Sequence, residues 1–301
     1  MVRTPPSRWL LERKMLYKVI HETVYDYGDT VPECFNIVRL NPRPVFDQRC
    51  IEHSLEVTPK PDDLVQREDF FGNQIEQFSI HIPHESLSVV STNRVEVTKR
   101  HYPDFGSTPS WEEVTCKNQM AKLEVTHYTR KSPRVAITKS AEEYARVSFT
   151  LGRPVAEAAE ELTHRIFDDF EFDPNATTVS TPVEEFFRKR AGVCQDYAHF
   201  QIACFRSLGI PARYVSGYLR TFPPPGEARL FGADASHAWV SVFCGQAGWF
   251  DFDPTNNLVP ETDHITIGWG RDYSDVCPIQ GVFTGGGQTV MKVSVDVAPE
   301  E

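Results

Sequence analysis

Three side chains, Cys194, His237 and Asp253, stand in an order and spacing that suit thiol chemistry. Cys194 opens the stretch C-Q-D-Y-A-H-F-Q-I-A-C-F-R-S-L, in which Tyr197, Ala198, Ile202, Phe205 and Leu208 recur at helical spacing. Gly209 suits the left-handed residue after the last turn, and Pro211 prevents continuation. Gly192 is read as the residue that lets the chain turn sharply into this helix. The thiol then lies at the first turn, where unpaired backbone N–H groups and the positive end of the helix dipole favour thiolate. A cysteine in an apolar segment is ordinarily a small buried hydrophobe. Chemistry therefore requires partners.

The partners come about 40 residues later. His237 begins the run H-A-W-V-S-V-F-C, a G-Q-A-G turn follows, and Asp253 closes W-F-D-F-D. Alone, His237 would be structural and Asp253, before Pro254, a turn residue. Joined as a hairpin, the two strands bring His237 and Asp253 to one end, where a carboxylate can hold an imidazole tautomer for a thiolate. Register decides whether they meet. A loop of residues 245–248 alone pairs Cys244 with Trp249 and turns His237 away. An odd-length loop or a one-residue bulge instead pairs Trp239 with Asp253 and leaves His237 as the diagonal neighbour. Gln195 and Trp239, beside these residues, are candidates for oxyanion or substrate contacts. The Cys194 backbone N–H at the helix start is a first oxyanion donor. Zinc on Cys194, His199 and Cys204 fits poorly, because positions five apart on a helix point away from each other.

The whole chain must position this group. Its 301 residues give a soft expectation of two domains. Hydrophobic content of 40% and charged content of 24% describe an ordinary globular protein. No apolar run approaches a membrane span. Residues 1–14 read as a loose basic leader without a signal-peptide core, which sets the expectation of a cytoplasmic protein. The seven cysteines are odd in number and contain no C-x-x-C pair, so neither a disulfide framework nor a zinc knuckle is suggested. The net charge of −11 is uneven: residues 1–149 carry 20 Lys+Arg against 21 Asp+Glu, residues 150–301 carry 11 against 21. A half at −10 is a poor partner for phosphate backbones, so nucleic acid is excluded.

In chain order, residues 15–100 read as an antiparallel β domain. Ile51, His53, Leu55 and Val57 alternate with polar residues, as do Phe78, Ile80 and Ile82 after a turn at Phe71-Gly72-Asn73. Residues 101–136, with Pro103, Pro109 and Pro133, form a connector. A core over 137–276 begins with helical signals: a capping box from Ser140 to Glu143, a helix opening near Pro154, and a second box at Thr181 and Glu184 with Pro182 at the first position. Arg188-Lys189-Arg190 reads as a solvated helix end that could also add positive potential near the thiol. Residues 212–219 are a strand, and the Pro/Gly-rich loop 221–235 is long enough to be functional. Residues 277–301 form a C-terminal β segment and tail, in which Gly285-Gly286-Gly287 is a turn and not a phosphate loop. The fold class is α+β.

The motifs G-V-C-Q-D, S-H-A-W and G-W-x-x-x-D-P-T, in this order, resemble the bacterial transglutaminase-like family of papain-type thiol enzymes. R-Y-V-S-G-Y-L, the P-P-P-G loop and G-R-D-Y-S-D-V at 270–276 extend the likeness. L-N-P-R-P and D-F-F-G-N resemble the β domain that accompanies it. The resemblance implies a core of helices packed on an antiparallel sheet, with Cys194 as nucleophile, His237 as base and acid, and Asp253 as orienting carboxylate. It implies a thiol hydrolase acting on a peptide, protein or small amide, with no cofactor and no metal. Acyl transfer to an amine and a non-catalytic binding module are the alternatives. Gln195 stands where animal transglutaminases carry tryptophan, and no calcium loop is visible, so water is the expected acceptor.

Overall fold

The computed structural model describes residues 14–118, 123–222, 232 and 234–300. The leader before Lys14 lies outside the described residues, as do 223–231 and 233, which make up most of the 221–235 loop. Six strands come first: β1 (Lys14–Val31), β2 (Cys34–Val38), β3 (Gln48–Thr58), β4 (Asp63–Glu68), β5 (Gln74–Ile80) and β6 (His84–Thr98). Helices α1 (Trp111–Asn118), α2 (Leu123–Thr126), α3 (Lys139–Arg146) and α4 (Val155–Asp169) follow. The short parallel strands β7 (Glu171–Phe172) and β8 (Ala191–Gly192) flank α5 (Val183–Lys189). Then come α6 (Cys194–Ser207), β9 (Ala212–Leu219), β10 (Ala235–Phe243), β11 (Trp249–Phe252), β12 (His264–Gly270), α7 (Tyr273–Val276), β13 (Ile279–Phe283) and β14 (Thr289–Glu300).

Three four-stranded antiparallel sheets organise the molecule, in orders β14-β1-β6-β3, β13-β2-β5-β4 and β11-β10-β9-β12. The chain thus ends where it began, because β13 and β14 complete the two N-terminal sheets. The long strands β1 and β6 do two jobs along one face. Toward one end, Tyr27, Val31, Leu87 and Val89 pack against Val38, Phe78 and Ile80 of the facing sheet. Toward the other, Tyr17, Val19, Val95 and Val97 pack against Tyr218, Ile265 and Ile267 of the core sheet. A single β layer therefore reaches from the N-terminal sandwich onto the core.

Local rules explain most of these elements, and several readings change. In β3 the alternation is broken by a register shift between Cys50 and Glu52, so Ile51 is exposed while His53, Leu55 and Val57 turn inward. The cap of α3 is Thr138, whose hydroxyl accepts from the Ala141 N–H at 3.2 Å, and Ser140 sits inside the helix. The cap position of α5 falls on Pro182 with no side-chain bond, and Thr181 instead accepts from the Thr178 N–H. The 101–136 stretch is also not a bare link: Tyr102, Phe105 and Trp111 pack on the main core.

Helix α6 is the centre of that core. Residues Gln195 to Arg206 are all buried, with α3 and α5 on one side and β9 and β10 on the other. Arg206 is buried near its C-terminal end and donates to the carbonyls of Tyr128, Arg130, Ala212 and Arg271 and to the Ser132 hydroxyl. Burial lowers its pKa to about 10, far enough above neutrality to keep the charge. Gly209 has the expected left-handed φ of 79°. Gly192 does not turn the chain at all. A Cβ there would lie 2.7 Å from Asp196 Oδ2 and 2.8 Å from the Phe186 ring, so glycine is required for close packing behind the helix start.

Gly217 is more tightly confined. A Cβ there would fall 2.1 Å from the Ile265 carbonyl oxygen and 2.6 Å from Trp239 Cη2, between β12 and the side chain beneath His237. Gly217→Ala should therefore force β12 or Trp239 aside and cost about 1–3 kcal/mol. Urea unfolding measures this, and a midpoint equal to wild type would contradict the packing described.

Candidate active site

Cys194 is the first residue of α6, partly exposed, with Val193 as N-cap. Asp196, in the first turn, accepts from the Val193 N–H at 2.9 Å and from the Thr177 hydroxyl at 2.6 Å, which fixes the entry of the chain. The N–H groups of Cys194 and Gln195 have no carbonyl one turn back to donate to. They are oriented toward the sulfur end of the helix, where an anion gains most from the dipole.

The hairpin resolves the register question with an odd loop. Phe243 pairs with Trp249 across the five residues 244–248, and the ladder continues through Ser241–Asp251 to Val240–Phe252. This places Trp239 opposite Asp253 and His237 diagonal to it. His237 Nε2 lies 2.7 Å from Asp253 Oδ2. The Cys194 thiol lines the same cleft and stands near enough to this imidazole to help raise its pKa. With Nε2 committed to the carboxylate, Nδ1 is the nitrogen left for sulfur.

Asp253 is wholly buried and its charge is fully satisfied. Oδ2 takes bonds from His237, from His264 Nε2 at 3.1 Å and from Asn256 Nδ2 at 2.8 Å. Oδ1 takes the backbone N–H groups of Thr255 at 3.0 Å and Asn256 at 3.2 Å. Burial would favour the neutral acid, but His237, His264 and these donors hold the carboxyl well below the ordinary range. Burial likewise disfavours charge on His237. Asp253 and then Cys194 outweigh it and raise the imidazole to about 10. His264 moves the other way: burial lowers its pKa despite the same carboxylate, so it is a neutral donor. His237, Asp253 and His264 hold ligand atoms within 4.8 Å of one another. Both histidine Nε2 atoms sit at hydrogen-bond length from one oxygen, an arrangement of protonated donors around an anion and not of ligands around an ion.

The remaining sequence candidates lie elsewhere. Gln195 is buried and donates to the Val179 carbonyl at 3.1 Å, so its amide is engaged away from Cys194. Trp239 is fully buried, its ring 6.1 Å from that of His237, and its N–H goes to Asp251 Oδ2 at 3.0 Å. It supports the imidazole from beneath and presents no donor to the cleft. His199 accepts from the Tyr273 N–H at 3.2 Å and is kept neutral by burial, at about 3. Cys204 is fully buried in the core, so the pair does not join Cys194 in a metal set.

A cleft of about 400 Å³ opens over Cys194 and His237. Its walls include residues that the sequence did not mark: His21, Thr23 and Tyr25 from β1, and Met291 and Val293 from β14. His21 is held by Tyr218 at 3.0 Å and Thr23 at 3.1 Å, and burial lowers its pKa to about 4. The N-terminal unit is thus a wall of the cleft. Asn256 and His264 were also missed, although the D-P-T-N stretch carries the signal of a turn whose aspartate binds its own backbone.

Among the described residues no helix is long and apolar enough to cross a membrane. Residues 17–96 match the bacterial transglutaminase-like N-terminal region, and residues 144–254 match the transglutaminase-like superfamily. An uncharacterized protein of Mycobacterium bovis is 39% identical over 293 residues, covering 95% of this chain and 93% of that protein. A Pseudomonas aeruginosa protein-glutamine gamma-glutamyltransferase is 34% identical over 108 residues, 33% of this chain and 16% of its own length. The crystal structure of a candidate cysteine protease from Cytophaga hutchinsonii superimposes with a TM-score of 0.76 at 21% identity, covering 96% of this chain and 92% of that one. With the cysteine at a helix start, the histidine and aspartate on a hairpin and both regions matched, the chain belongs to the transglutaminase-like superfamily, with the papain-like fold of cysteine hydrolases and acyltransferases.

Proposed function

We propose that this protein is a thiol hydrolase that cleaves an amide or peptide bond through an acyl-enzyme on Cys194. The observation that carries the reading is one imidazole, His237, held by the buried Asp253 carboxylate at 2.7 Å and facing the same open cleft as the Cys194 thiol. With the imidazole charged, sulfur bears the negative charge and attacks the substrate carbonyl carbon. The carbonyl oxygen takes the electron pair and is met by the Cys194 N–H at the start of α6. As the pair returns, the C–N bond breaks and His237 gives its Nδ1 proton to the leaving amine. His237, now neutral, takes a proton from water as the water oxygen attacks the thioester. The C–S bond then breaks, the acid leaves, and the thiolate–imidazolium pair is restored. Asp253 keeps its charge throughout and holds the ring.

Transfer of the acyl group to an amine uses the same residues, and the Pseudomonas aeruginosa relative carries such an activity in its name. Water is favoured here because the position after the nucleophile, Gln195, is tied to Val179 and offers no aromatic wall for an amine acceptor. Single-turnover reaction of an amide donor in the presence of a primary amine should give mainly free acid. Amide product dominating at modest amine concentration would replace hydrolysis with transfer.

The nucleophile can be tested without knowing the substrate. Brief alkylation near pH 6 should label Cys194 first, because Cys204 and Cys244 are fully buried and burial raises the Cys50 thiol to about 11. His237→Ala should slow labelling of Cys194 by at least tenfold by deleting its cationic partner. Asp253→Ala should slow it less. Labelling of Cys194 at the rate of the buried thiols would remove the assignment.

The same electrostatics sets a pH dependence of stability. His237 is raised from 6.5 to about 10, so its contribution is complete below pH 6.5 and is lost as pH rises through 10. The stability advantage of wild type over His237→Gln should therefore shrink between pH 6.5 and 10. An advantage that grows over that window in chemical denaturation would contradict a charged imidazole.

A further inference from the structure

The sheet face that carries His237 and Asp253 extends beyond the cleft. Directly paired residues share a face, so the row runs through Trp239, then Asp251 with Ser241, to Arg213, Trp249 and Trp269. At this far end Arg213 Cζ lies 3.7 Å from the Trp269 ring centre and 4.3 Å from that of Trp249. Arg43 Cζ lies 3.8 Å from the same Trp269 centre. Two guanidinium groups cannot occupy one ring face at that distance, so the indole is clamped between them.

The two arginines differ in how their donors are used. Arg43 donates to the Phe71 carbonyl at 2.7 Å and to Asn73 Oδ1 at 2.9 Å. Arg213 makes no hydrogen bond or ion pair among the described residues, and its Nε is buried without a partner. Stacking stabilises the charge but leaves the in-plane N–H donors of the fork unused. Such a group is costly unless something accepts from it.

A cavity of about 730 Å³ opens beside this ladder, and it shares no lining residue with the cleft of Cys194. Arg43, Lys99, Arg100 and Arg213 line it against Asp47 and Asp251. Arg100 is paired with both of those acids, and Lys99 with Glu261 at 2.8 Å. Positive charge is therefore left over at Arg43 and Arg213. Pro44, Pro103 and the fully exposed Phe46 give the cavity an apolar rim.

We propose that this cavity binds a small organic carboxylate, its two oxygens on the free N–H donors of Arg213 and its apolar body against Phe46, Pro44 and Pro103. A planar carboxylate fits the guanidinium fork in two parallel bonds. The acids in the wall disfavour a dianion such as phosphate.

Benzoate is the probe, followed by calorimetry and by the emission of Trp249 and Trp269. Saturable binding at one site per chain is expected, unchanged in Cys194→Ala, which separates this site from the cleft and from the proposed activity. Inorganic phosphate should bind more weakly. Arg213→Gln and Arg43→Gln should each weaken benzoate by roughly tenfold or more. Arg213→Lys should also weaken it, since the charge remains but the fork is gone. If Arg213→Gln does not fold, Phe46→Asp on the exposed rim provides the substitute, with weaker binding expected from the added negative charge. Benzoate that does not saturate, binding lost in Cys194→Ala, phosphate binding more tightly, unchanged affinity in a folded Arg213→Gln, or unchanged affinity in Arg43→Gln and Phe46→Asp would overturn the proposal.

Discussion

The site depends on an ionised carboxylate kept where water cannot reach it. Asp253 is fully buried, and an isolated anion there would be several kilocalories per mole out of balance. Five donors remove that difficulty, two from backbone, one from Asn256 and two from histidines. The two histidines divide the work. His264 is a neutral donor that helps hold the charge in place, while His237 pairs its own charge with it. Removing the loop that follows Asp253 would expose the carboxylate, weaken its pull and release the imidazole.

This arrangement constrains the sheet. One face of β9, β10 and β11 receives α6 and is apolar, with Ala238, Val240, Val242, Phe250 and Phe252 beneath the helix. The other face carries His237, Asp253, Trp239 and Asp251, and the N-terminal unit meets it through Arg100 on Asp251 and Gln48 on Thr266, while β1, β6 and β14 pack on Tyr218 and Ile265 of the α6 face. A polar face under a lid of protein is stable only if each charge is matched. Arg100, two residues after β6, supplies the match by bridging Asp47 and Asp251 and donating to Thr266 at 3.1 Å. Breaking such a buried pair from one side typically costs 3–5 kcal/mol. The N-terminal unit is therefore part of the core in energetic terms.

Much of this was legible in the sequence, for reasons that can be named. Helix α6 was visible because an apolar stripe, a following glycine and a proline agree on its limits. The contact of His237 with Asp253 was visible because strand parity leaves few registers, and an odd loop was the one that joins them. The N-terminal strands were read as strands but not as walls of the cleft. Nothing local in His21, Thr23 or Tyr25 says which distant sheet they will face. The caps were misplaced by two residues at Thr138, and at Pro182 no side-chain cap forms, because several neighbouring hydroxyls suit the same end and packing chooses among them. Gln195 and Trp239 were drawn to the site by adjacency in sequence. On a helix adjacent residues point apart, so Gln195 turned to Val179, whereas Trp239, two residues along the strand, shares the face of His237 but gives its N–H to Asp251.

Trp239 shows how the two ends of the polar face are joined. Its indole stacks on His237 on one side and meets His264 edge-on at 5.1 Å, and its N–H reaches Asp251. Asp251 in turn is held by Arg100, and with Arg213 this keeps its carboxyl below the usual range against burial. Gly217 has no side chain because the indole and the Ile265 carbonyl already fill that space. The orientation of the imidazole is thus set by rigid neighbours on every buried side, and its freedom is confined to the direction of Cys194. A ring held in this way loses little entropy when charge develops on sulfur, which is the condition for a thiolate to be stabilised before substrate arrives.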